Sequence, residues 1–113
     1  MPNNQDFLNI LIKLGKNPNQ TQRKLSKDLK LSLGKISYCL EELRKKGLIK
    51  IENFKRNPSK INYIYLLTPA GIEHKLKLTV SFMKKKLEEY DNLKKELETD
   101  KKNINDLDRS KNK

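Results

Sequence analysis

Tryptophan is missing from the 113 residues, and three Phe and four Tyr supply all the aromatic surface. Hydrophobic residues make up only 35% of the chain, so any core must be small and local. The length leaves room for one small domain with an extension. The single cysteine, Cys39, excludes an intramolecular disulfide and a thiolate metal cluster. No run approaches the ~18 apolar residues of a membrane span. Met1 to Asn9 lacks the basic segment leading into an apolar stretch that marks a secretory leader, so a cytoplasmic protein is expected. A Gly-rich phosphate loop, paired carboxylates and a nucleophile beside an evident base are all missing. Neither an enzyme nor a cofactor or metal site is expected. His74 stands alone between Glu73 and Lys75 and reads as a surface histidine. Cys39 reads as a small core or boundary residue, with redox sensing as the minor alternative.

What is abundant is positive charge. The formal net charge is +12, from 26 Lys and Arg against 14 Asp and Glu. Residues 1–70 hold 14 basic and 5 acidic residues, whereas residues 71–113 hold 12 and 9 with the signs interleaved. The front of the chain should attract polyanions, and the rear should be a solvated helix of mixed charge.

Phe7, Leu8, Leu11, Ile12 and Leu14 recur at helical spacing behind a capping Asn3 or Asn4, and Gly15 with Asn17-Pro18 should end this first helix. Thr21 caps a second, short helix whose inward residues are Leu25 and Leu29. A turn at Lys30-Leu31-Ser32 follows, with Ser32 capping a third helix. Ile36, Leu40 and Leu43 make one narrow apolar stripe on that helix. Lys45 and Lys46 suit the negative end of its dipole, and Gly47 is the expected left-handed residue after it. A short helix, a turn and a longer capped helix spell helix-turn-helix.

After Gly47 the period falls to two. Ile49 and Ile51 alternate with Lys50 and Glu52 in a strand closing at Phe54, Asn57-Pro58-Ser59 makes a turn, and Ile61 to Leu67 returns. A basic hairpin straight after the third helix is the wing of a winged helix. Thr68 then caps a new helix with Pro69 at its first position. Ile72, Leu76, Val80, Met83, Leu87 and Tyr90 step by fours and threes in a heptad-type seam. Beyond Tyr90 strict continuation would put Lys94 in the core, whereas Leu93 and Leu97 suggest a local shift. Residues 102–113 read as a polar, disordered tail.

The stripe of the third helix turns Gly34, Lys35, Ser37, Tyr38 and Glu41 outward. The N-terminal part of such a helix reaches base edges in the major groove. Lys35 can donate to guanine or phosphate, Ser37 to any base, and Tyr38 offers a flat face to a thymine methyl. Ser32 and Gly34 stand at the positive helix end, where phosphate is favoured. In the wing, Lys55, Arg56, Ser59 and Lys60 suit the adjacent minor groove. Gln22, Arg23 and Lys24 are candidates for flanking phosphates. The bland alternative is that all of these are ordinary surface residues. From Pro69 to Lys101 the last helix would span roughly 50 Å, against a radius of gyration near 11 Å for its own domain of about 70 residues. Its seam, with Leu93 and Leu97, therefore needs a partner, and the simplest is its own copy.

The run Ser32-Leu33-Gly34-Lys35-Ile36-Ser37-Tyr38-Cys39-Leu40 with Lys46-Gly47-Leu48-Ile49 resembles the recognition helix and first wing strand of MarR-type regulators. Leu67-Thr68-Pro69-Ala70-Gly71 is similar to the LTxxG step after the wing in that family. Residues 17–90 most closely resemble a small EPS-associated branch found near exopolysaccharide gene clusters. Asn53-Phe54-Lys55, Tyr63-Ile64-Tyr65-Leu66-Leu67-Thr68 and Leu78-Thr79-Val80-Ser81-Phe82 carry that likeness. The sequence departs from the family where Pro58-Ser59-Lys60-Ile61 lacks the Asp that braces many MarR-type wings. Almost nothing precedes Phe7 to supply the usual N-terminal dimer helix or the walls of an effector pocket, so ligand sensing is not carried over.

The expectation is an α+β, mainly α chain. Residues 6–68 form a winged helix-turn-helix domain, 69–101 a dimerisation helix and 102–113 a tail. It binds double-stranded DNA as a homodimer and regulates transcription, with no membrane partner. The rivals are a protein-interaction module and a nonspecific nucleic-acid binder.

Overall fold

The computed structural model describes residues 2–57 and 60–111, with the side chains of residues 2–53 and 63–109. Its elements are α1 (Asn4–Lys16), α2 (Gln22–Leu29), α3 (Leu33–Lys45), β1 (Ile49–Asn57), β2 (Lys60–Leu67) and α4 (Pro69–Lys111). They form two compact units, Met1–Thr79 and Val80–Lys113. The first contains α1–α3, the sheet and the opening turns of α4. The second is the remainder of α4.

Each early helix starts on a side-chain cap. The Asn3 carboxamide oxygen accepts from Asp6 N at 2.9 Å, and the Asp6 carboxylate accepts from Asn3 N at 3.2 Å, a reciprocal capping box. Thr21 and Ser32 accept from Lys24 N at 3.0 Å and Lys35 N at 3.1 Å. Helix α1 continues through Gly15 to Lys16 and is capped by Asn17. The buried Gln20 amide donates to the carbonyls of Asn17 and of Lys13, the latter also accepting from Asn17 N.

The core joins Ile10, Leu11 and Leu14 of α1, Leu25 of α2, Ile36, Cys39, Leu40 and Leu43 of α3, and Leu48, Ile49 and Tyr65 beside them. Ile10 is fully buried and Ile12 only half so, which reverses their expected importance. The helix packs on both α2 and β2, so its buried arc is wider than one stripe. The chain leaves α3 through Gly47 at φ 72°, a conformation that costs a side-chain-bearing residue about 1–2 kcal/mol.

The sheet is antiparallel, with Ile49 opposite Leu67, Ile51 opposite Tyr65 and Asn53 opposite Tyr63. Strand β1 runs past the expected Phe54 to Asn57, because pairing continues through Lys55 with Ile61 and Asn57 with Lys60 across an irregularity. Tyr65 N also donates to Pro18 O at 3.0 Å, tying the segment before α2 to the wing.

Thr68 knots wing, α3 and α4 together. Its hydroxyl donates to Gly47 O at 2.6 Å and accepts from Gly71 N at 3.0 Å, while its own N–H donates to Leu48 O at 3.1 Å. A Cβ on Gly71 would lie 1.9 Å from Leu48 O, so only glycine permits this approach. With Gly71 buried and Leu78 packed on the core, the compact unit extends to Thr79, past the expected boundary at residue 68. At its other end α4 runs on through residues 102–111. No Pro or Gly interrupts them, Ile104 and Leu107 continue the apolar spacing, and Lys102 stands four residues before Asp106.

Candidate nucleic-acid interface

Helices α2 and α3 meet at a sharp turn. Lys30 takes the left-handed conformation at φ 57°, the Ser26 hydroxyl donates to Leu31 O, and Leu31 N donates to Ser26 O at 3.1 Å. This local bonding lets a two-residue step, Leu31-Ser32, redirect the chain into α3. Burial of Ile36, Cys39, Leu40 and Leu43 then sets the rotation of α3 about its axis. The opposite face carries Gly34, Ser37, Tyr38 and Glu41, all exposed. Tyr38 is 45% exposed, although a large aromatic ordinarily finds cover. No atom lies within 4 Å of where a Gly34 Cβ would stand, so this turn is open to close approach.

Lys35 is placed differently from its neighbours. Its ammonium sits 3.4 Å from the Asp6 carboxylate at the start of α1 and is half-buried. To reach a base or phosphate it must exchange that partner. Ser32 is exposed but engaged as the cap of α3. Arg23 is exposed at the start of α2, and Lys24 lies beside it, 3.6 Å from Asp28. Gln22 is half-buried, and its amide donates to the Tyr65 hydroxyl at 3.4 Å. Of the wing residues, Ser59 and the side chains of Lys55, Arg56 and Lys60 lie outside the described residues.

Between α2, α3 and the sheet runs a groove of about 510 Å³, lined by Gln22, Ser37, Leu40, Glu41, Ile51, Tyr63 and Tyr65. It brings Tyr63, half exposed, against the outward face of α3, a neighbour the sequence expectation did not include. The readable signal was the two-residue spacing of Tyr63 and Tyr65, which puts both on the face toward the helices. Glu41 is gripped by Arg44, whose Nε donates to Oε2 at 3.1 Å. That hydrogen bond and the guanidinium charge lower the Glu41 pKa below its usual range. An ionised carboxylate on this face can accept from a cytosine amino group and repels phosphate.

Cys39 is fully buried, and its thiol pKa is pushed up to about 11 by burial, then by the nearby Asp6. It is a packing residue in its neutral form. Among the described residues no three His, Cys, Asp or Glu side chains gather as metal ligands would. Among the described residues no helix is long and apolar enough to cross a membrane.

Residues 8–50, from α1 into β1, match the family model described as winged helix-turn-helix DNA-binding. The whole arrangement superposes on a solved MarR family transcription regulator with a TM-score of 0.59 at 26% identity, covering 71% of this chain and 52% of that one. The fold is a MarR-like winged helix.

Two further structures share it. The PcaV transcriptional regulator from Streptomyces coelicolor, solved with its natural ligand, gives a TM-score of 0.61 at 18% identity over 74% of this chain and 57% of its own. Lactococcus lactis ZitR gives 0.59 at 22% identity, over 79% and 58%. The chain therefore spans between half and three-fifths of these proteins' own lengths. No curated protein matches it by sequence.

Proposed function

We propose that this chain is a sequence-specific double-stranded DNA-binding regulator of transcription that acts as a homodimer through α4. The observation carrying the reading is the outward face of α3. Gly34, Ser37 and Tyr38 stand exposed at the N-terminal part of a helix whose other face is locked into the core. That arrangement fits a helix N-terminus entering a major groove. The excess of basic residues in 1–70 supplies the attraction to phosphate. The fold and the MarR-like resemblance point to a regulator rather than an enzyme. The likeness to the EPS-associated branch suggests exopolysaccharide-related genes as targets.

The homodimer rests on the seam. Ile72, Leu76, Val80, Met83, Leu87, Tyr90, Leu93 and Leu97 are between 42% and 69% exposed in the single chain. Most helical stability comes from packing an apolar face, so a stripe this long calls for a partner.

The deciding experiment selects binding sites from random duplexes, then titrates the winning duplex against a scrambled one over a range of salt. A specificity ratio of roughly 10³ or more is expected, retained as affinity falls with salt. Equal affinity for all duplexes would leave a nonspecific binder, and no duplex binding near 0.1 M salt would leave a protein-interaction module.

A further inference from the structure

The apolar residues of the Val80–Lys113 unit do not follow one heptad phase. Val80, Met83, Leu87 and Tyr90 alternate as a and d positions. Continued strictly, that phase would bury Lys94, Lys101 and Asp108. Moving the phase by one three-residue step, so that Tyr90 serves as both d and the next a, assigns Leu93, Leu97, Ile104 and Leu107 to the core. Asp100 is then the only charged core position. Leu93, Leu97, Ile104 and Leu107 are 54–69% exposed in the single chain, like the residues before the step. A three-residue insertion of this kind locally overwinds a coiled coil without ending it.

The flanking charges decide which way a second copy lies. In a parallel, in-register pair each g residue meets the e residue five positions later on the partner. With the step at Tyr90, Lys86 meets the partner's Asp91, Glu89 meets the partner's Lys94, and Glu96 meets the partner's Lys101. All six side chains are exposed. Thr79 with Lys84 and Asn103 with Asp108 are the remaining pairs, each with one uncharged member. Every g–e pair with two charges is thus of opposite sign. In register, Asp100 meets the partner's Asp100 across the two-fold axis, and the Lys101 of each copy, in the same hole, offsets the two carboxylates.

We propose that the Val80–Leu107 segments of two copies pair as a parallel, in-register coiled coil with a single phase step at Tyr90–Leu93. The inference rests on the homodimer reading above and adds direction and register to it. The pairing runs about 40 Å at 1.5 Å per residue. The Asp100 layer weakens the pair, and the register rests on the g–e charges.

Disulfide trapping tests it on the full-length protein. Met83→Cys and Ile104→Cys replace exposed residues, so each variant keeps its fold, and the buried Cys39 remains as a silent control. Under mild oxidation each variant alone should form a covalent dimer, whereas mixing the two should add little cross-species product. Product arising only in the mixture would show antiparallel pairing and overturn the proposal. A wild type that sediments as a dimer while neither variant cross-links would do the same. A wild type that sediments as a monomer would defeat the homodimer reading itself. Charge reversal supplies a second readout. Glu89→Lys should weaken dimerisation by about tenfold, and adding Lys94→Glu should restore most of it. Five residues apart, the two positions do not face each other on one helix, so rescue reports a contact between copies. Failure of rescue would remove the parallel register.

Discussion

Tyr38 and Lys35 stand three residues apart on α3, yet the structure treats them differently. Tyr38 is open to solvent, and Lys35 is held by Asp6. Tyr38→Ala should lower affinity for the selected site by roughly 1–3 kcal/mol while leaving the scrambled duplex nearly unaffected. Lys35→Ala should lose less on the selected site, because the wild type must first part Lys35 from Asp6. Parallel titrations on the two duplexes check both, and equal losses on both duplexes would mean that these residues only position the protein. Gly71 makes a prediction about folding rather than binding. Its absent Cβ would stand 1.9 Å from the Leu48 carbonyl, an atom already engaged by Thr68 N–H. Gly71→Ala must push α4 off the wing and lose that junction. It should cost about 3 kcal/mol or more, lowering Tm by roughly 12 °C or more in a domain of this size. Thermal unfolding followed by circular dichroism would settle it.

At the scale of elements, the hairpin and the last helix carry separate consequences. The wing strands pair as far as Asn57 and Lys60, which places Arg56 and Lys60 beside the hairpin's tip. If both reach DNA, Arg56→Ala with Lys60→Ala should weaken binding and flatten the log–log salt slope by about 2. An unchanged slope would place the tip away from the duplex. On α4, Leu87 is 62% exposed in the single chain, so Leu87→Glu costs the monomer's own packing little. Any large effect then reports a second copy. Two glutamates facing across a two-fold axis should abolish dimerisation at micromolar protein, with circular dichroism showing the winged helix intact. Sedimentation of both proteins reads this, and a Leu87→Glu variant still dimeric would move the interface elsewhere.

At the scale of the molecule, the excess of basic residues in 1–70 and the helix seam make one joint prediction. Two linked heads bind a two-half-site duplex with an avidity that a single head lacks. Wild type should therefore prefer two half-sites over one by roughly tenfold or more, and the Leu87→Glu variant should lose that preference while keeping its half-site affinity. Gel-shift titration on one- and two-site duplexes separates the cases. Equal preference in both proteins would mean that the heads bind independently.

Much of the fold was legible because its signals are local. Asn3, Thr21 and Ser32 cap helices through bonds spanning three residues, Gly47 ends α3 through its own φ, and the change of period after Gly47 announces the wing. Those features depend on near neighbours, so the order of residues determined them. The features that escaped depend on contacts between distant segments. Ile10 is buried in the shared core, Tyr63 lines one groove with Ser37 and Glu41 of α3, and Lys35 is engaged because α1 brings Asp6 alongside. At the end of α4 two signals compete, a polar composition and the helical spacing of Ile104 and Leu107, and the helix runs through both residues. The sequence by itself determined which helices and strands form and which face of each is apolar, since covalent geometry and side-chain periodicity act over a few residues. Only the tertiary structure decided which polar side chains remain free to meet DNA, because a charge is claimed or released by whatever partner packing brings within reach.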